Sequence, residues 1–282
     1  MDLRLLLVNA EEWEQRAAAH TARLGPYVEP HLERRRLQVK HPVHDFLFTY
    51  YSYRPSQLMR WQPPGELDAA KLPLARSTLA LLRATAGREG NFGCFGLHEW
   101  AMVYRDPETR HPQPLRLGHD GTNRVVDSHR IGCSHWDAYR FFTPAALPLN
   151  TLRPFKDDRT DFEQPACLHA TMDLYKHAYR LAGVLGSDLV ADAFELAWDV
   201  RIMDMRAAPY DMSGLVIDPY GIEWTPITIE TSEGKREYAA LQRRYAERAT
   251  PIRERMVEAL DQAVDAIDAI DRSPSSGTAI RH

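Results

Sequence analysis

The chain has 282 residues, 44% of them hydrophobic, enough to bury one sizeable core. A formal net charge of −4 gives no overall positive field, so a polyanion such as DNA would have to be met by a local basic patch. The three cysteines, Cys94, Cys133 and Cys167, are widely spaced, odd in number and without a CxxC pair, which argues against a disulfide framework and for small buried thiols in a reducing cytosol.

Residues 11–38, rich in Arg and Glu, read as one or two amphipathic helices interrupted at Gly25-Pro26. An aromatic block follows from His41 to Arg54, and Pro63-Pro64-Gly65 marks a turn. Leu72 to Ala86 carries a helical period with Gly87 as its stop. The segment from Gly93 to Tyr104 fits a helix or a strand, and 105–130, rich in Pro, Gly and His, reads as a long ordered loop. Residues 140–165 are again irregular, with four prolines. Beyond them, 165–181 and 187–206 predict an antiparallel helical pair, with Ser187 as an N-cap and Asp188 in the first turn. A charged helix over 234–271 is expected to break or kink near Pro251. The whole predicts a single mainly α domain over 1–272 with long ordered loops, and a disordered tail over 273–282. No signal peptide and no run of roughly 18 apolar residues is visible, so a cytoplasmic protein without a membrane span is expected.

Histidines stand beside acids along much of the chain, a pairing that suits metal binding, acid–base work and plain structural networks alike. His169, Asp173 and His177 recur at four-residue intervals, one face of a helix, and are the candidate ligands for iron or zinc. Glu195 and Asp199 on the next helix could complete the shell, with His44 or His98 in reserve. Alternatively Glu195, Asp199 or Asp204 could stabilise a cationic sugar and orient water, as an N-glycoside hydrolase requires, or simply pair with Arg201 and Arg206. His44 and Asp45 are a further candidate catalytic pair. Tyr50, Tyr51 and Trp61, with His98, Glu99, His135, Trp136 and Arg140, are candidates to line a substrate pocket, rings stacking on a base and cations meeting phosphate. No phosphate loop, Gly-x-Ser-x-Gly elbow, His-Glu-x-x-His or dinucleotide fingerprint occurs.

The phrases HPVHDFLFTYYSYRP (41–55), NFGCFGLHEWAMVYR (91–105), SHWDAYRFFTPAALPLN (134–150), CLHATMDLYKHAYRL (167–181) and FELAWDVRIMDMRAAPYD (194–211) resemble an actinobacterial family. Its members usually carry the name 3-methyladenine DNA glycosylase. The resemblance covers about residues 5–260. It implies excision of an alkylated purine without a cofactor, the base flipped into an aromatic pocket and DNA held by a local cluster such as Arg124, Arg130, Arg140 and Arg153. The family supplies no residue roles to carry over. Leu181 to Gly186 departs from a helix-hairpin-helix loop: the proline is missing and one residue is inserted. The residues themselves support a different reading about as well, a metal-dependent oxygenase or hydrolase, with non-heme iron foremost, acting on a small molecule.

Overall fold

The computed structural model describes residues 9–217 and 221–272. Along them run α1 (Ala10–Arg36), α2 (Phe46–Thr49), α3 (Pro55–Leu58), α4 (Leu72–Ala86), α5 (Leu97–Ala101), α6 (Gly118–Asp127), α7 (Trp136–Tyr139), α8 (Arg159–Phe162), α9 (Leu168–Arg180), α10 (Ala182–Ala207) and α11 (Ser232–Arg272). Three isolated β-bridges are the only extended pairings among these residues, and the fold is mainly α, as expected. No described helix is long and apolar enough to cross a membrane.

The axis is the hairpin of α9 and α10. Their residues are buried on nearly every side: α10 is mostly apolar all round, and α9 buries Asp173 and His177 among its apolar residues. Near the start of α10, Gly186 takes φ +77° and kinks the helix, and a Cβ there would lie 2.8 Å from the Pro64 nitrogen. Only glycine allows both the left-handed turn and the close passage of Pro63-Pro64. Ser187, expected as an N-cap, instead accepts the Gln62 N–H at 2.9 Å and donates to the Arg60 carbonyl at 3.0 Å. It ties the α9–α10 junction to the turn before α4.

Outer helices complete the core. The long α11 packs on α10, α4 and α9 and runs through Pro251 without a break. Its partners hold it on both sides of the proline: Tyr238 and Gln242 are sealed before it, Met256 and Leu260 after it. Likewise α1 passes through Pro26 and Pro30 rather than stopping at Gly25-Pro26. Each proline removes one donor, but His20, Leu24, Val28 and His31 stay on one buried face, and His20 donates from Nε2 to the Leu58 carbonyl at 2.8 Å. The stretch 105–130 is not all loop. Its second half is α6, anchored by buried Thr122, Val125 and Val126, too short an apolar set to declare a period. The segment 93–104 resolves to the short α5. The expected tail over 273–282 lies outside the described residues.

Candidate metal centre

Three polar side chains from three elements meet inside this core. Gly96, at φ +68°, turns the chain into α5 and brings His98 inward. His169 stands in the first turn of α9, and Asp204 in the last turns of α10, with no exposed surface. One ligand atom from each lies within 4.8 Å of the others. His98 donates from Nε2 to Asp204 Oδ1 at 2.9 Å, and Arg201 donates from Nη1 to Asp204 Oδ2, also at 2.9 Å. Arg201 is itself buried, its guanidinium 4.1 Å over the Phe46 ring and its Nη1 3.5 Å from Glu99 Oε1.

The charges follow from this packing. Burial works against the Asp204 carboxylate, but the charge and hydrogen bond of His98, with Arg201 behind it, outweigh it and hold its pKa below the usual range. Burial likewise opposes the His98 imidazolium, and Asp204 overcomes it and raises that pKa. Glu99 goes the other way: burial, then Asp204, pushes its carboxyl up. His169 is kept neutral by burial and by the charge on His98.

A row of imidazoles continues from here. The His98 and His169 rings meet edge to face at 4.5 Å, and His169 stacks on His135 at 5.3 Å. His135 is 1% exposed and neither ring nitrogen has a hydrogen-bond partner; Nε2 lies 3.4 Å from both Glu163 Oε1 and Asp173 Oδ2. Arg159 pairs with both of those acids, Lys176 closes on Asp173, and Tyr51 donates its hydroxyl to Asp173 Oδ1 at 3.2 Å. Beside His98 and His169 is a cavity of about 20 Å³, room for about one water, walled in part by Leu97, Ile131, Leu168 and all three cysteines.

Of the expected ligands, His169 belongs to this group, together with the reserve candidate His98. His169 and His177 are two helical turns apart, about 12 Å along the axis, too far for one ion. Asp173 serves Tyr51, Lys176, Arg159 and His135 instead, and His177 is sealed in the core with Nδ1 unpartnered. Both Glu195 oxygens are held along one edge of the Arg23 guanidinium, by Nε at 2.9 Å and Nη2 at 2.6 Å, and Asp199 pairs with Arg248 at 2.7 Å, so neither reaches the centre. Asp204 does.

The proposed pocket residues scatter. Asp45 accepts from His31, Arg34 and the His41 N–H, binding α1 to the loop before α2. His44 is stacked between His41 at 3.9 Å and Trp198 at 4.5 Å. Trp61 is buried and donates to Asp188 at 3.0 Å. Tyr50 lies on Phe46 and beside Arg140, Arg140 pairs with Asp137, and Trp136 faces Phe155; none of the three lines the cavity beside His98. Only Tyr51, His98, Glu99 and His135 fall within the buried network around the centre. The pairing of Asp204 with Arg201 is one the sequence offered; the meeting of the three cysteines is not. A local signal existed for the latter: Cys94-x3-His98, Cys133-x-His135 and Cys167-x-His169 each set a thiol just before one of the three imidazoles.

No protein-family model matches this chain, and no curated protein or solved structure matches it either.

Proposed function

We propose that this chain is a metal-dependent enzyme whose centre is His98, His169 and Asp204, acting hydrolytically on a small molecule. The observation that carries the reading is the convergence of these three ligand atoms within 4.8 Å beside a cavity. The donor set fits a cation: two imidazoles and one carboxylate suit zinc or ferrous iron. His169 makes no hydrogen bond that a ligand would have to replace, and its neutral form is the ligating one. A bound divalent ion would supply Lewis acidity and lower the pKa of a water beside it.

The chain's own residues have separate parts. Arg201 fixes the far oxygen of Asp204 and so holds the carboxylate plane. His135, with Asp173 and Glu163 behind Nε2, is placed to hold a proton near the centre. Leu97, Ile131 and Leu168 form the apolar part of the cavity wall. Base excision from alkylated DNA is the other reading, and no feature of the site favours it. Of its acids, Glu195 and Asp199 face arginines rather than a cavity.

The test is metal content by plasma mass spectrometry on full-length protein purified without chelator, followed by titration with zinc, cobalt(II) and iron(II). About one equivalent per chain is expected, lost in His169→Gln and Asp204→Asn and retained in His177→Gln. Protein that is metal-free and takes up none of the three ions would overturn the reading.

A further inference from the structure

The cavity beside His98 and His169 is also lined by Gln164 and Ser134, 7% and 8% exposed. Gln164 Oε1 accepts two backbone N–H groups, from Asn91 at 2.9 Å and Ala166 at 2.8 Å. Both partners donate, so the atom facing them is the oxygen, and the amide NH2 is the end left over. Among the described residues, neither this Nε2 nor the Ser134 hydroxyl meets an acceptor. Ser134 follows a residue that is pinned in place: Asn150 accepts the Cys133 N–H at 2.7 Å and donates to the Cys133 carbonyl at 2.9 Å. Two donors are thus set in position by backbone bonds, on a wall otherwise made of imidazole, thiol, glycine and apolar side chains, with no carboxylate. A fold gains nothing from buried donors that lack acceptors, whereas a ligand oxygen would satisfy them.

We propose that this cavity is the carbonyl pocket of the centre, and that its substrate is a short acyl compound whose carbonyl oxygen is held by Gln164 Nε2 and the Ser134 hydroxyl. This rests on the metal-centre reading above. Two donors without a carboxylate suit an oxygen acceptor and reject an ammonium group. A space of about 20 Å³ admits little beyond one oxygen-sized atom, so the acyl part is formyl or acetyl rather than a longer chain. In the hydrolytic step a water oxygen bonds to the carbonyl carbon, and the carbonyl π pair moves onto the oxygen that faces the two donors. That pair then re-forms the carbonyl while the bond to the leaving nitrogen or oxygen breaks. The leaving atom takes a proton from the added water, giving the short carboxylic acid and an amine or alcohol. Donors fixed beforehand meet the developing charge without reorganising.

Formate, the smallest acid such a reaction releases, is the probe, and the visible spectrum of the cobalt(II)-loaded full-length chain is the readout. Formate should shift that spectrum saturably, acetate more weakly and butyrate not at all. Gln164→Glu keeps an oxygen for both N–H groups but removes the donor, and Ser134→Ala removes the other. Each should weaken formate binding about tenfold or more with cobalt uptake unchanged. A spectrum that ignores formate, formate binding unchanged in either variant, or butyrate binding as well as formate overturns the acyl pocket and leaves the His–His–Asp centre standing. Failure to take up cobalt at all removes both.

Discussion

His177 lends itself to a quantitative test because burial, more than any neighbour, holds its pKa down to about 3. The ring is 5% exposed and Nδ1 has no partner, so the folded protein keeps it neutral where the unfolded chain, titrating near 6.5, would take a proton. Stability from this group is therefore complete above pH ~6.5 and is lost as pH falls toward about 3. At about pH 5 the unfolded chain gains about 1.5 log units of proton binding that the fold refuses, or about 2 kcal/mol. Urea unfolding of wild type and His177→Gln at about pH 7.5 and about pH 5 measures it. The wild type should lose about 2 kcal/mol more than the variant between the two conditions. Equal losses would mean that His177 is protonated in the fold, and that the account of its burial is wrong.

His44, stacked between His41 and Trp198 and held down to about 4 mainly by burial, has the same sign: its contribution is lost between pH ~6.5 and about 4, and His44→Gln should flatten the acid limb of a thermal-stability profile by a similar amount. Gly186→Ala forces a side chain onto φ +77° and into the Pro64 nitrogen, and should lower stability by about 1–3 kcal/mol, read as a drop in Tm. An unchanged Tm would mean that the α9–α10 turn is not rigid. Asp173→Asn leaves Lys176 and Arg159 facing each other without their shared carboxylate and should destabilise by about 3–5 kcal/mol in urea. Glu195→Gln, at a partly exposed pair with Arg23, should change stability by about 1 kcal/mol or less and leave metal content unchanged; loss of metal would place the centre elsewhere.

The sequence by itself determined the local structure wherever period and punctuation agree. Leu72–Ala86 ends at Gly87 as its leucines and glycine require, and the α9–α10 hairpin follows from an apolar stretch turned at glycine. Proline was a poor guide inside α1 and α11, because buried faces on both sides of it outweigh one missing hydrogen bond. For the site, the sequence singled out His98, Glu99, His135, His169 and Asp204 by residue type, but periodicity relates only residues on one helix. Hence it grouped His169 with Asp173 and His177, which their own helix keeps on the α9 surface at different heights. Only tertiary structure could bring α5 against the far end of α10, setting His98 on Asp204 and leaving Glu195 and Asp199 to outer arginines. The three cysteines make the same point: a thiol beside each histidine is legible in the sequence, but their meeting at one cavity is decided by how the segments around α5, α7 and α9 pack.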